Sequence, residues 1–490
     1  MRKFSFVFLL ITGILGINVY AAGFPKISPN AEMPLVETPS EWSAGVSFIS
    51  IDDPVVSWWQ NFNDELLTMY IEDAVNHNYN LQAALGRINE ARALRGGLKG
   101  NLYPRIDTYM RMTNTRFSER GANPVGQISK MPPDRRIFNI DNPTNIWDTG
   151  FDASWEIDFF GRDRWAIQQA SERIKEFEEI RRAIIISIIS EVARNYFELR
   201  GTQQQLVNLN ETLALQEEQI RLLQLKLDIG LGTKLEIVQA STRLETLQAQ
   251  KPLLKAQIQA SAHQIAILTG RTPDALNEQL SELKPLPVPP SLLEAGLPEK
   301  LIERRPDIRQ AVSRVNAVIA EAGAARAELY PVIGVRGGFG FESLKIEDIF
   351  KISSRKWSVM PFINWRIFER KTLKAKVQAS QARLFSESAN LRQTVLEALQ
   401  EAETAISMLE NAKKNQLDLE ISAISTQKAC HMTEESYKIG LSNYLQVLEA
   451  RQATLFKQDE LINSRLQTSI HALKLYKALG GGWEPFDITY

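Results

Sequence analysis

The sequence contains two copies of one pattern, and this duplication limits the folds that the chain can adopt. A single offset of 210 residues aligns Gly230 with Gly440 and Gly270 with Gly480. The apolar residues beside the first pair of glycines also match, as Ile229/Ile439, Leu231/Leu441 and Leu235/Leu445. Because a repeat of this size is one structural unit used twice, we expect a chain built from two similar halves.

Each copy predicts a long helix, a sharp turn and a second helix that runs back. Glycine often ends a helix because it enters the left-handed conformation without a steric cost. Thr233 in one copy, and Ser442 or Asn443 in the other, offer side-chain oxygens to cap the returning helix. The stretches before the turns, 162–227 and 370–439, contain no proline, and at 1.5 Å per residue each is about 100 Å long. Helices of that length favour antiparallel coiled-coil hairpins.

Alternating apolar and polar residues follow two Tyr-Pro pairs, Tyr103-Pro104 and Tyr330-Pro331. The alternation predicts two β-hairpins, at about 104–160 and 331–368, each with one apolar and one polar face. Strands of about ten residues with this pattern are typical of transmembrane barrels. Two hairpins cannot close a barrel, so a barrel requires several copies of the chain. The polar faces are expected to include Asp152, Glu156, Asp158 and Arg366.

The N-terminus predicts an exported protein. Arg2 and Lys3 precede a mostly apolar stretch, and Val19-Tyr20-Ala21 fits a signal-peptide cleavage site. No cysteine lies near that site, so we expect no N-terminal lipid on cysteine. The predicted division is a signal peptide at 1–21, an extended N-terminal segment at 22–61, a first repeat at 62–270 with its tip at about 228–234, a proline-rich linker at 271–297, a second repeat at 298–480 with its tip at about 438–444, and a C-terminal tail at 481–490.

Composition argues against several classes of function. The net charge is −1 over 490 residues, so no nucleic-acid partner is expected. The one cysteine, Cys430, excludes an intramolecular disulfide and any multi-cysteine metal site. No nucleophile–base set, metal-ligand spacing or phosphate loop appears in the sequence. We therefore expect no enzyme, no cofactor, and no catalytic or metal site.

The chain resembles the TolC/NodT-like outer-membrane efflux channels over nearly all of its mature length. The resemblance is carried by residues 155–162 (WEIDFFGR), 305–308 (RPDI), 439–441 (IGL) and 475–483 (LYKALGGGW). It implies a mainly α fold with a small β part, in which long helical hairpins accompany four strands per chain. In the family, a homotrimer shares a twelve-stranded β-barrel above a periplasmic helical tunnel. One departure is Glu369, which stands where the family usually has glycine, so we expect a different turn there.

By resemblance, the chain is the exit duct of a tripartite efflux pump in the outer membrane, with a long periplasmic extension. It would pass small toxic compounds to the exterior, as in multidrug efflux. The expected partners are two further copies of the chain, a periplasmic adaptor, an inner-membrane pump reached directly or through the adaptor, and outer-membrane lipid. The adaptor would contact the helical tips, at Ile229, Gly230, Leu231, Ile439, Gly440, Leu441 and Ser442.

The resemblance also places a periplasmic gate just past the second tip, at Gln446 and Glu449. Three copies of Glu449 about 6 Å apart would repel by about 3 kcal/mol per pair at an effective dielectric near 20. Closure then needs other bonds between helices. By resemblance, these bonds involve Tyr437 on the outgoing helix and Glu236 on the neighbouring hairpin, and we expect a Tyr437–Glu236 hydrogen bond that breaks when the adaptor binds.

Two alternative functions stay open at this point. The same fold serves as the outer duct of type I protein secretion systems, and the pump rather than the duct decides the cargo. A structural coiled-coil protein of the envelope without a pore is the third hypothesis. The two alternating hairpins argue against that third hypothesis.

Overall fold

The computed structural model describes residues 39, 41–43, 49–50, 56–122, 124–135, 142–291, 293–294 and 296–487. The predicted signal peptide and most of the predicted N-terminal segment lie outside the described residues. The described residues form two compact units. Residues 90–174 and 314–388 form the sheet unit, and the other described residues form the helical unit.

Helices account for most of the chain. In chain order they are α1 Glu65–His77, α2 Tyr79–Gly100, α3 Pro124–Ile128, α4 Arg162–Asp228, α5 Lys234–Leu268, α6 Asn277–Ser281, α7 Leu301–Arg304, α8 Pro306–Ala327, α9 Arg370–Lys438 and α10 Tyr444–Ala478. The strands are β1 Ile49–Ser50, β2 Arg105–Thr115, β3 Thr144–Ile157, β4 Leu293–Glu294, β5 Val332–Ser343 and β6 Arg355–Asn364. The predicted class, mainly α with a small β part, is confirmed.

The sheet unit contains a four-stranded antiparallel sheet in the order β2-β3-β5-β6. Both predicted hairpins are present, and they join through β3 and β5. A second, parallel pairing of β1 with β4 joins the N-terminal segment to the linker within the helical unit. Two-residue strands have no room for an alternating pattern, so the sequence carried no signal for this pairing.

The same type of hydrogen bond, from a tryptophan indole to a leucine carbonyl, closes both β-hairpins. The indole of Trp155 donates to the carbonyl of Leu102 at 3.0 Å. The indole of Trp365 donates to the carbonyl of Leu329 at 3.1 Å. Each leucine lies just before a Tyr-Pro pair, so each tryptophan ties the end of its hairpin to the start. The two sequence repeats therefore share this tryptophan–leucine hydrogen bond within the sheet unit.

Asp158 has a different role from the one predicted. It is buried, and its carboxylate accepts hydrogen bonds from the backbone N–H groups of Asp163 at 3.1 Å and Arg164 at 3.0 Å. The first N–H groups of a helix have no partner inside it, so Asp158 satisfies the start of α4. The expectation that Asp158 lies on the polar strand face is wrong.

The turn before α4 contains Gly161 in the left-handed conformation, with φ of 82°. At the second junction, Glu369 stands in the corresponding position. Among the described residues, Asn63 is the one non-glycine with positive φ, so Glu369 is not left-handed. The chain enters α9 by a turn that needs no glycine, and the adjacent Phe368 is fully exposed there.

Two tryptophans at the end of the predicted extended N-terminal segment, Trp58 and Trp59, are buried in the core of the helical unit. Trp58 stacks on Tyr476 with ring centroids 5.0 Å apart, and Trp59 stacks on Phe486 at 5.7 Å. Both indoles are almost fully buried. Burying two adjacent indoles removes a large apolar surface from water, which is favourable. The end of the predicted segment therefore packs inside the core.

Two of the motifs that carried the family resemblance meet in the helical unit. The buried guanidinium of Arg305 donates to the carbonyl of Ala478, at the end of α10. It also binds the carboxylates of Asp307 at 2.8 Å and Glu401 at 2.7 Å. Gly480 lies so close that a Cβ there would be 2.7 Å from Cγ of Arg305. Arg305 of the RPDI motif and Gly480 of the C-terminal glycines therefore pack directly against each other.

Lys413 on α9 holds the linker between the repeats. Its ammonium is buried and donates to the carbonyls of Pro290 at 3.0 Å and Ser291 at 2.7 Å. Burial lowers the pKa of Lys413 to about 8, although the charge of Glu410 opposes that shift. The usual lysine pKa is 10.5, so the unfolded chain holds this proton more tightly than the folded chain. The contribution of Lys413 to stability is lowest below pH 8 and rises as the pH approaches 10.5.

This pKa shift predicts that the difference in stability between the wild type and Lys413→Met depends on pH. The melting temperature of the wild type, relative to the variant, should increase by on the order of 2 °C between pH 7.5 and 10. Thermal melts followed by circular dichroism measure the difference. Lys428→Met is the control, because Lys428 is exposed on the same helix. A wild-type advantage that stays constant with pH would contradict the linkage.

None of the helices in the described ranges is both long and apolar enough to cross a membrane.

Candidate functional site

The two predicted tips have the same backbone geometry. At the first, Gly230 has φ of 78°, and the N–H of Leu231 donates to the carbonyl of Lys226 at 2.8 Å. At the second, Gly440 has φ of 80°, and the N–H of Leu441 donates to the carbonyl of Ser436 at 2.8 Å. This is the Schellman ending of a helix, which requires a left-handed residue. The expected turns of the two repeats are therefore present.

Each returning helix begins with a reciprocal capping box. At the first tip, the Thr233 hydroxyl accepts from the N–H of Glu236, and the Glu236 carboxylate accepts from the N–H of Thr233 at 2.8 Å. At the second, Asn443 and Gln446 make the same exchange, and Ser442 donates to Gln446 at 2.8 Å. Glu236 and Gln446 are thus equivalent residues of the repeat.

Capping also sets the charge of Glu236. Hydrogen bonds from the backbone N–H and the hydroxyl of Thr233 lower the pKa of the Glu236 carboxyl below its usual value. Both bonds go to Oε2, and Oε1 has no hydrogen bond among the described residues. The residue is a carboxylate at neutral pH with one oxygen available to a donor outside the protomer.

The apolar side chains of both tips face solvent. Ile229, Leu231, Ile439 and Leu441 are between 69% and 79% exposed. A Cβ added at Gly230 or Gly440 would meet no atom within 4 Å, so the outer side of each glycine is open among the described residues. Exposed apolar groups at the ends of long helices are typical of surfaces that bind another protein.

The remaining gate candidates lie beside the second tip. The ring of Tyr437 packs against the ring of Tyr444 with centroids 5.4 Å apart. Within one protomer, no hydrogen bond between described residues joins Tyr437 to Glu236. Glu449 is exposed and has no ion pair in the part of the chain that the structure describes. Among the described residues, no hydrogen bond or ion pair joins any two of the four residues predicted for the gate.

Polar contacts that the sequence analysis missed join the two helical hairpins. The hydroxyl of Tyr444 donates to Glu218 at 3.0 Å. Further along, the buried amide of Gln452 donates to Gln216 at 2.9 Å and to Gln219 at 3.0 Å. Buried polar pairs of this kind set the register of a coiled coil. Glutamine is common on exposed helix faces, so no sequence pattern indicates that these three residues meet.

The strand register separates an apolar from a polar face in the sheet unit. Paired residues share a face, and the row Thr108, Phe151, Phe339, Trp357 crosses all four strands. The apolar face contains Ile106, Met110, Met112, Trp147, Phe151, Ile157, Ile333, Val335, Phe339, Phe341, Trp357, Val359 and Ile363. Many of its side chains are exposed in the protomer, a pattern typical of strand faces that contact lipid.

The polar face carries a charged cluster near the loop end of the strands. The ammonium of Lys356 lies 2.7 Å from the carboxylate of Asp148 and 3.0 Å from that of Glu342. Tyr109 donates to the same Asp148 at 3.3 Å. Asp152 and Glu156, both predicted for this face, are exposed. The cluster spans all four strands and keeps this face hydrophilic.

Among the described residues, no group of histidine, cysteine, aspartate and glutamate could hold a metal ion. Cys430 is buried on α9, where its thiol lies 4.0 Å from Oε1 of Glu434 and donates to it.

Comparison with known proteins agrees with this geometry. The family model for outer membrane efflux proteins matches residues 70–271 and 297–481. The chain is 26% identical to the outer membrane protein OprJ of Pseudomonas aeruginosa over 475 residues, which cover 94% of each protein. It is 28% identical to the toluene efflux pump outer membrane protein TtgI of Pseudomonas putida over 467 residues, 94% of this chain and 95% of that protein. The solved structure of the outer-membrane channel OprN superposes with a TM-score of 0.82 at 26% identity, over 94% of this chain and 100% of that one.

These similarities place the chain in a family of outer-membrane channels, which is not an enzyme class. The chain belongs to the outer membrane efflux protein family, whose model covers most of its length. The predictions of an efflux duct and of an outer-membrane location with a periplasmic helical part are confirmed.

Proposed function

We propose that three copies of this chain form one conduit that passes small toxic compounds from the periplasm to the exterior. The observation that carries the proposal is the open sheet. Its outer strands, β2 and β6, have no partner on their outer side among the described residues. Unpaired N–H and carbonyl groups cannot remain within a bilayer, so these edges need partners. Three four-stranded sheets would supply them and would enclose the polar face.

A periplasmic adaptor is the proposed partner of the tips. Supporting this, the four exposed apolar side chains of the tips sit on two rigid, capped turns. A small apolar tip fits a groove between helices of another protein. An inner-membrane pump would then load the conduit through the adaptor.

The proposed cargo is small and toxic rather than a protein. TtgI, a relative over nearly its whole length, is named for toluene efflux. The type I secretion alternative has no comparable support from the relatives named above.

We further propose that Gln446, Glu449, Glu236 and Tyr437 control the periplasmic end. Glu449 supplies repulsion between copies, and a bond from Tyr437 to the available oxygen of Glu236 opposes it. Since no such bond exists within the described part of one protomer, the partner residue would come from a neighbouring copy. Gln446 would act indirectly, by capping the helix that carries Glu449.

Cross-linking tests the three-copy arrangement. Asn364 ends β6 and Arg105 begins β2, so these two residues lie at the same end of the sheet and would meet between adjacent copies. In a Cys430→Ser background, the pair Asn364→Cys and Arg105→Cys should give covalent trimers under mild oxidation. Asn364→Cys with Thr115→Cys is the control, because Thr115 lies at the opposite end of β2. Covalent dimers without trimers, or no product, would contradict the arrangement.

Transport is tested separately. The purified chain should form conducting pores in planar bilayers, and a strain that lacks the gene should become more susceptible to small toxic compounds. Unchanged susceptibility together with the loss of a secreted protein would favour the secretion alternative.

A further inference from the structure

We propose that the loop between β5 and β6, residues 344–354, binds an anionic phosphorylated lipid of the leaflet that surrounds it. The bound lipid would place its acyl chains along the apolar face of the sheet beside Trp357, with its headgroup at the level of the loop. Its phosphate would lie against Lys345 and Arg355. The inference rests on the outer-membrane location of the family and does not depend on the number of copies or on the cargo.

The loop is an ordered structure that holds apolar groups outward. Ile349 is buried beneath it, and Phe350 packs on Phe341 with ring centroids 5.8 Å apart. The hydroxyl of Ser354 donates to the carbonyl of Asp348 at 2.7 Å and closes the loop. Despite these bonds, Leu344, Ile346, Phe350 and Ile352 are between 44% and 76% exposed. A loop held in this shape keeps its apolar side chains exposed unless another molecule covers them.

The loop continues the apolar face of the sheet. Phe341 pairs with Arg355, and Phe339 pairs with Trp357, so Arg355 and Trp357 lie on the apolar side. Trp357 is 73% exposed. Two residues of strand span about 6.6 Å, which places Arg355 one short step beyond this aromatic ring. Aromatic residues mark the edge of the hydrocarbon layer, so Arg355 falls at the depth of lipid headgroups.

The charges of the loop complement a phosphate. Lys345 and Arg355 are exposed, and neither forms an ion pair with any described residue. Two other nearby cations are already engaged: Lys351 pairs with Asp348, and Lys356 faces the opposite side and pairs with Asp148. Glu347 is the exposed acid of the loop. Arginine binds phosphate oxygens through paired N–H groups, and lysine adds a point charge.

A lipid fits these features better than another copy of the chain. Copies of the chain would pair along the free edges of β2 and β6. The loop residues instead extend the apolar face of the sheet, away from those edges. A protein partner would explain the apolar residues but would not need two unpaired cations at the end of the strands that carries Trp357. Long basic side chains next to apolar groups are instead typical of contacts with the lipid headgroup region.

The test measures lipid retained by the purified protein. The full chain is reconstituted in phosphatidylcholine bilayers that contain lipid A, a phosphorylated glycolipid, and is then extracted in mild detergent. Mass spectrometry gives the lipid A bound per chain. The variants Lys345→Gln and Arg355→Gln should each retain about fivefold less lipid A, since one basic residue near a membrane surface contributes about 1 kcal/mol. Arg355→Lys should restore part of the loss.

Controls separate this inference from the proposed conduit. Lys255→Gln, at an exposed lysine on α5, should retain lipid A like the wild type. All variants should keep the wild-type conductance. Equal lipid A in the wild type and the double variant Lys345→Gln and Arg355→Gln would overturn the proposal. So would loss of the trimer in that variant, because it would assign the two cations to a contact between copies.

Discussion

Replacing Arg305 with methionine is expected to lower the stability of the folded chain by on the order of 3 kcal/mol. Methionine keeps the apolar stem but removes every hydrogen bond of the guanidinium. The buried carbonyl of Ala478 then loses its donor, and an unsatisfied buried acceptor costs about 1–3 kcal/mol. Asp307 and Glu401 lose their shared cation as well, although both are partly exposed. The measurement is the midpoint of thermal unfolding together with the yield of folded protein.

Two further variants make this prediction specific. Arg305→Lys should recover less than half of the loss, because an ammonium cannot reach three partners in one plane. Arg304→Lys is the matched control, since its ion pair with Glu484 is long, at 3.7 Å, and should change stability little. Gly480→Ala should reproduce the defect from the other side, because its φ of 73° and its contact with Arg305 exclude a Cβ. Equal stability of Arg305→Met and Arg304→Lys would rule out a central role for this contact.

The double variant Tyr437→Phe and Glu236→Gln is expected to raise the leak conductance of single channels by about tenfold or more. A hydrogen bond to a charged group is worth about 1.5–3 kcal/mol, and 1.4 kcal/mol is one factor of ten in the ratio of open to closed states. Glutamine at position 236 can keep its one amide oxygen on Thr233, so the capping box survives, while the second acceptor oxygen is replaced by an NH2 group. The measurement is conductance in planar bilayers without adaptor.

Glu245→Gln is the control for this second prediction, because Glu245 is an exposed acid on the same helix. It should leave the leak unchanged. The single variants should each give most of the effect of the double variant, since either one removes the same bond. A leak in the double variant equal to that of the wild type would show that Tyr437 and Glu236 do not hold the closed state. Glu449→Gln should act in the opposite direction, by reducing repulsion between copies.

Some of the residues assigned by motif turned out to have local structural roles. Gln446 caps a helix, a role that the spacing of Asn443 and Gln446 could have indicated, since it is a capping-box pattern. Asp158 caps α4, where alternation had suggested a strand face. In both cases the side chain satisfies a helix end a few residues away. A pattern with a period of two cannot show where the strand stops and the cap begins.

What the sequence determined by itself was the local and repeated part of the structure. The offset of 210 residues, the glycines, and the runs without proline predicted the hairpins and their turns, because helix length and helix ending depend on neighbouring residues. Tertiary structure alone decided which distant side chains meet: Arg305 with the end of α10, Gln452 with Gln216, and Arg355 with the apolar side of the sheet. These contacts depend on how elements far apart in the chain pack and register, and no periodicity within one element carries that information.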